Sequence, residues 1–351
     1  MLRIKETLIE RQRVTQLHRN RLRTCLVAFQ LWVQSVYPSI ADWWESVEGT
    51  NQLLCEYINS CHEMGTAQWR GRYAIVAVQT KWRGLKGKLG RAWDAMKSWQ
   101  MTRLVVSRTP VTLSIVKVLF ATALSWALED PREARWLIPF AVLIRVMFFG
   151  LLRPGEAFGL TATLVSFMSD WDLGNLCVLT LVDTKNRRRM GRLQFGLLKD
   201  ASSVAWLRWL TWGMTSGMKL WPSTAERFGK LLTAVARRAG LAAIKLTPSC
   251  FRTGGTTHRF VLGESLSSLK FAGRWGTESS LELYVQEAMS YLNTLVLDAQ
   301  TLARVRSIVH VSAPFWQSPP AKGWQAYFSR AAQWQQQQLP RHKQWTGRRI
   351  S

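Results

Sequence analysis

Residues 246–289 read LTPSCFRTGGTTHRFVLGESLSSLKFAGRWGTESSLELYVQEAM, and the fold is decided by how this stretch is understood. Pro248 and Ser249 open it, and from there helical patterning continues to about Val309. Arg252 lies near the start of the first helical run. Trp275 follows Gly273-Arg274, and Tyr284 comes nine residues after Trp275 and thirty-two after Arg252. Around the tyrosine the apolar positions are Leu281, Val285, Ala288 and Leu292, which predicts a helix with Tyr284 on the border of its buried face. Taken one at a time, these residues have ordinary explanations. Tyr284 would be a packing tyrosine, Trp275 one of 19 tryptophans, and His258 a structural histidine.

Upstream, two apolar runs, Val111 to Leu128 and Trp136 to Leu152, are each close to the length of a membrane span. Lys117 interrupts the first, and Pro139 and Arg145 the second, so both read as buried core helices. The second ends at FFGLLRPGEAFGL, where Leu152-Arg153-Pro154-Gly155 has the character of a turn. The β signal comes next. LCVLTLV (Leu176–Val182) and RLQFGLL (Arg192–Leu198) flank the polar tract DTKNRRRMG, predicting an antiparallel hairpin with Lys185, Arg187, Arg188 and Arg189 at its tip. Helical patterns return at Ser202–Trp212 and Thr224–Ala239.

The first hundred residues are helical, basic and rich in tryptophan. Leu26, Phe29, Trp32 and Val33, and then Leu53, Leu54 and Tyr57, recur at helical spacing. Their last part, from Lys81, interleaves Trp82, Trp93 and Trp99 with lysines and arginines. Met101–Thr112 loses the helical period and carries Pro110, as an interdomain linker would. The tail from Ser312 holds SPP, a run of four glutamines from Gln335 and closing basic residues, the composition of a flexible or loosely docked extension.

Charge names the class of partner. Lys and Arg number 47 against 22 Asp and Glu, leaving a net charge of +25. Such an excess attracts polyanions by counterion release, with nucleic acid first and an anionic membrane surface second. The five cysteines (Cys25, Cys55, Cys61, Cys177, Cys250) form no CxxC pair, so neither a zinc site nor a disulfide framework is indicated. The N-terminus, MLRIKETLIERQR, is too charged to read as a secretory signal.

Taken together, the motifs resemble those of the tyrosine recombinases. Arg252 stands at the place of that family's second arginine, Trp275 at its His-or-Trp place and Tyr284 at its tyrosine. FFGLLRPGEAFGL resembles the first signature box, with Arg153 as the first arginine and Glu156 as its acidic neighbour, and Lys185 matches the family's hairpin lysine. The variant RTGGTTH…GRW looks closest to eukaryotic, mobile-element-like members. One position departs. Ser249 occupies the place, three residues before the second arginine, where the family usually has His.

The resemblance implies a mainly α fold with a small antiparallel β-sheet. A SAM-like, helical core-binding domain (residues 1–105) would clamp DNA with a recombinase catalytic domain (106–311), followed by a flexible Gln-rich basic tail (312–351). It implies the chemistry as well. Two guanidiniums, Arg153 and Arg252, would clamp the phosphate oxygens, and the Trp275 indole N–H would donate to one of them. Lys185 would protonate the departing 5′ oxygen while Tyr284 forms a 3′-phosphotyrosyl link. Arg187, Arg188, Arg189 and Arg274 would contact DNA. The resemblance further implies duplex DNA as the partner, bound by a homotetramer, with no cofactor, metal, membrane or small-molecule substrate, and the charged N-terminus and eukaryotic-like motifs lead us to expect an intracellular location, in the nucleus. Ser249, which can neither carry charge nor act as a base near neutrality, leaves open a decayed, non-catalytic DNA-binding protein.

Overall fold

The computed structural model describes residues 16–102, 110–171, 174–182, 184, 193–282, 284–285, 296–321 and 323. Lys185, Arg187, Arg188 and Arg189 lie outside them. The chain divides into two compact units, residues 1–106 and 107–351.

Among the described residues of the first unit four α-helices follow one another: α1 (Gln16–Val36), α2 (Val47–Glu63), α3 (Trp69–Lys81) and α4 (Gly90–Thr102). The Ser46 hydroxyl accepts the Gly49 N–H and caps α2. Phe29 and Val33 from α1, Leu54 and Ile58 from α2, Ile75 and Val78 from α3, and Met96 and Trp99 from α4 close one core. Gly71 allows the α3–α4 approach, since a Cβ there would stand 2.9 Å from the Met96 sulfur. Many of the unit's tryptophans are packing residues. Trp43 lies edge-on to Phe29 and Trp82, and Trp44 stacks on Trp82 with ring centroids 5.1 Å apart.

The second unit is organised around α6 (Ala134–Phe149), buried almost along its whole length, including Pro139. A helix apolar on all sides needs cover on all sides. The cover comes from α5 (Leu113–Glu129), α8 (Ala201–Thr211), α9 (Ala225–Arg238) and α10 (Ser249–Val261). In α9 the buried set Phe228, Leu231, Leu232, Val235 and Ala236 forms a single stripe, and the Thr224 hydroxyl caps its first turn. Both apolar runs thus belong to this core. Among the described residues no helix is long and apolar enough to cross a membrane.

Between α6 and α8 lie the short α7 (Pro154–Phe158) and a three-stranded antiparallel sheet, β1 (Val165–Phe167), β2 (Cys177–Leu181) and β3 (Gln194–Leu198), in that order. The β2–β3 pairing, with Cys177 opposite Leu198, is the hairpin that alternation predicts, although its tip lies outside the described residues. β1 was not foreseen, since three residues are too few to show a period. The turn expected at Leu152–Gly155 is also a helix start. Pro154 takes the first helical position, where no N–H is needed, and Glu156 reaches back to the Arg153 N–H at 2.9 Å.

Beyond α10 come α11 (Leu266–Gly273), α12 (Glu278–Glu282), α13 (Ala299–Val311) and α14 (Ala313–Gln317). α14 corrects the expectation that the flexible tail begins at Ser312. Trp316 is buried, its carbonyl accepts from Arg145 Nη1 at 2.9 Å, and the Arg145 guanidinium lies 3.7 Å from its ring centroid. Arg145, fully buried, is satisfied by that carbonyl and by the hydroxyls of Ser202 and Ser203, with Asp200 at 3.6 Å. Burial pulls its pKa down, and Asp200 works against that shift.

Candidate active site

Three segments of the second unit converge on one buried carboxylate. Glu156, in the first turn of α7, is only 6% exposed. Its Oε1 accepts from Arg153 Nη1 at 2.7 Å, and its Oε2 from the Arg153 N–H at 2.9 Å and from Arg274 Nη2 at 2.8 Å. Arg252 Nη1 stands 3.7 Å from the same Oε2. Burial works to raise the Glu156 carboxyl, but Arg274, then Arg252 and Arg153, hold it below the usual carboxylate range. Three guanidiniums against one carboxylate leave the cluster cationic.

Arg252 sits in the first turn of α10, where the helix passes close to the rest of the core. That closeness depends on the two glycines that follow it. A Cβ on Gly254 would stand 2.1 Å from the Val111 carbonyl oxygen, and one on Gly255 would stand 1.9 Å from that of Phe148. The Arg252 guanidinium donates to the carbonyls of Leu151, at 2.6 Å, and Gly273. It lies 4.2 Å from the Trp275 ring centroid and 5.5 Å from that of Tyr284. Burial first, and then Arg153, work against its charge, while Glu156 supports it.

Trp275 and Tyr284 meet edge to face, ring centroids 5.1 Å apart. The Trp275 ring folds back over Gly273, where any side chain would collide with it, at 1.5 Å for a Cβ. Tyr284 is not on a helix, as its apolar spacing suggested. It lies in a turn just after α12, its N–H donating to Leu281 at 2.7 Å and its carbonyl accepting from the Thr257 hydroxyl. The turn brings Tyr284 back to α10, so that the phenol, the indole and Arg252 share one cluster with Leu151, Leu269 and Leu281.

Three buried donors at the site have no hydrogen-bond partner: Arg252 Nε, Arg274 Nε and Trp275 Nε1. Buried N–H groups are rarely left so, and those of Arg252 and Trp275, beside surplus positive charge, suit an anionic acceptor. Among the described residues no group of three or more His, Cys, Asp or Glu could hold a metal ion.

The structure thus brings Arg153, Arg252, Trp275 and Tyr284 together. Arg274 is placed differently from the sequence reading. Expected to contact DNA, it is turned inward onto Glu156 and Leu151, its side chain 8% exposed. Glu156, read only as a neighbour of the first arginine, is the centre of the cluster. Ser249 opens α10 one turn before Arg252, half-buried, and its carbonyl accepts from the Thr253 hydroxyl. His258 is half-buried near Phe148, its pKa lowered by burial and by Lys117, in keeping with a structural place. Lys199, the lysine that follows the second strand of the hairpin, is exposed just beyond β3.

No protein-family model and no curated protein sequence matches the chain. Solved structures do. A XerH site-specific recombinase bound to palindromic difH substrate, a post-cleavage complex, aligns over 86% of this chain and 82% of its own, at 14% identity and TM-score 0.53. The Tn1549 transposon integrase in complex with transposon right-end DNA aligns over 83% of this chain and 97% of its own, at 12% identity and TM-score 0.53. At such identities the likeness is one of fold, and the fold is that of the tyrosine recombinases.

Proposed function

We propose that this chain is a site-specific DNA recombinase or integrase that cuts and rejoins strands through Tyr284. The observation that carries the reading is the cationic cluster at Arg252. Two guanidiniums, an indole N–H without a partner and a phenol come together from four segments of a fold shared with recombinases that are bound to DNA. The net charge of +25 fits a polyanionic partner.

In this reading the scissile phosphate lies beside the unpaired donors of Arg252 and Trp275. A phosphodiester gains negative charge at its non-bridging oxygens as it is attacked, and Arg153, Arg252 and the Trp275 N–H stabilise that charge. The Tyr284 oxygen bonds to phosphorus and its proton passes to solvent. The bond from phosphorus to the 5′ oxygen breaks, and Lys185 supplies the proton that oxygen needs. The phosphotyrosyl link keeps the bond energy, so a 5′ hydroxyl can reverse the step. Duplex DNA is the substrate, a homotetramer on two sites the assembly, a mobile element the setting and the nucleus the location.

Ser249 favours a second reading, a recombinase fold that binds DNA without cleaving it. Trapping on nicked suicide duplexes from a genomic library decides between them. A covalent adduct with the wild type and none with Tyr284→Phe supports the enzyme. Binding without an adduct from either protein supports the second reading.

A further inference from the structure

Arg274 is held in an unusual way. It directly follows α11, in the left-handed region at φ +61°, which side-chain-bearing residues seldom adopt. Among the described residues only Asp42 and Leu151 share this feature without being glycine, and Leu151 is at the same site, with φ +49°. The two strained turns face each other. The Leu151 carbonyl accepts from Arg252 Nη1 at 2.6 Å and from Arg274 Nη2 at 3.2 Å. Arg274 Nη1 also donates to the Ala272 carbonyl at 3.1 Å. A Cβ on Gly196 of β3 would lie 3.6 Å from that Nη1, so the sheet closes over the guanidinium.

The position of Arg274 bears on Arg252. Glu156 Oε2 takes Arg274 Nη2 at 2.8 Å, and Arg252 Nη1 is held off at 3.7 Å, committed instead to the Leu151 carbonyl while Nη2 holds that of Gly273. Without Arg274 that carboxylate oxygen would keep only the Arg153 N–H, and the cation standing next to it is Arg252, at 3.7 Å. Closing that gap would move the guanidinium by about 1 Å from its present place beside the Trp275 and Tyr284 rings. A displacement of about 1 Å at a reacting group can cost about 10²-fold in rate.

We infer that Arg274 is a positioning residue for strand cleavage: by occupying Glu156 Oε2 it keeps the Arg252 guanidinium on the Leu151 and Gly273 carbonyls, facing Trp275 and Tyr284. This inference rests on the reading of the site as a cleavage centre. It also assigns Arg274 no direct contact with DNA.

The test is single-turnover cleavage of a nicked suicide duplex carrying the trapped site, together with equilibrium binding of the same duplex at several salt concentrations. The variants are R274G, R274K, E156Q and the double variant R274G/E156Q. Glycine accepts the left-handed backbone, so R274G relieves strain while removing the guanidinium. R274G is expected to cleave roughly 10- to 10²-fold more slowly. Its salt dependence of binding should be unchanged, where loss of a phosphate contact would lower the log–log slope by about one. R274K, with one charge and no fork, should cleave at an intermediate rate. Adding E156Q to R274G should raise cleavage above that of R274G alone, because the carboxylate that draws Arg252 away is gone. A merely structural role for Arg274 would not give that rescue.

R274G and R274K both cleaving as fast as the wild type would overturn the inference. So would a lowered salt slope, which would make Arg274 a DNA contact, or a double variant no faster than R274G. A wild type that binds the duplex but forms no adduct removes the cleavage reading itself, and this inference with it. That outcome is read from the wild type alone and cannot be confused with the others.

Discussion

Glu156→Gln removes the one negative charge around which Arg153, Arg252 and Arg274 are gathered, while keeping the side chain's size. Glu156 is 6% exposed and receives charge-assisted bonds on both oxygens. Removing one member of a buried ionic set costs about 3–5 kcal/mol, because the partners remain buried without compensation. The amide adds a second conflict, since its NH₂ must face donors on one side. The full 3–5 kcal/mol is therefore the expectation near neutral pH, equivalent to roughly 10²- to 10⁴-fold faster exchange of α10 amides that exchange through global opening. The sign with pH follows from the folded pKa being depressed. Stability from the ionised carboxylate is fully present above the unfolded value of about 4.3, and is lost as pH falls through the lower folded value. The gap between wild type and Glu156→Gln should thus hold from neutrality down to about pH 5 and narrow on further acidification. Hydrogen exchange read on peptides covering residues 249–261, with denaturant titrations across the same pH range, measures both. A gap below about 1 kcal/mol at pH 7, or one that widens on acidification, would refute the argument that this carboxylate organises the site.

Gly255→Ala would place a methyl 1.9 Å from the Phe148 carbonyl oxygen, and neither α6 nor α10 can move aside cheaply. A loss of at least about 3 kcal/mol is expected in chemical denaturation. The control is Gly217→Ala, with open space around it, expected within about 0.5 kcal/mol of wild type. Equal melting of the two variants would contradict the packing of α10. Trp316→Ala empties the place that α14 fills and uncovers Arg145, at a cost of about 3–5 kcal/mol. Calorimetry should show a Tm lower by roughly 6–20 °C, and an unchanged Tm would mean that α14 does not dock.

The sequence was readable where a local period carries the information. The stripes of α9, the continuous apolarity of α6 and the alternation in β2 and β3 each appear within one segment. What it hid depends on contacts between segments. Tyr284 has helical apolar neighbours, yet it turns because its carbonyl meets Thr257, twenty-seven residues earlier. Trp316 sits beside an SPP cluster that reads as a loose tail, and only the buried Arg145, 171 residues away, shows why it docks. Arg274 looked like one more surface cation in a basic chain. Its inward course depends on a backbone angle that local propensity disfavours for arginine. The glycine pair at 254–255 was visible as part of a motif, but its reason is the nearness of Val111 and Phe148.

The placement of strain supports reading this cluster as a site. A left-handed residue other than glycine costs of order 1–3 kcal/mol and persists only where its surroundings hold it. In this unit the two described examples, Leu151 and Arg274, are both at the cationic cluster. A fold serving stability alone would place glycine at such turns, or spend the donors of Arg252 and Trp275 on protein acceptors. Here the turns aim one carbonyl at two guanidiniums, fixing the inner edges of both, while Arg252 Nε and Trp275 Nε1 remain unpaired. Cations anchored on one side, with donors left over on the other, are already oriented before any charge develops beside them, and the proposed attack on a phosphodiester asks for that electrostatic condition.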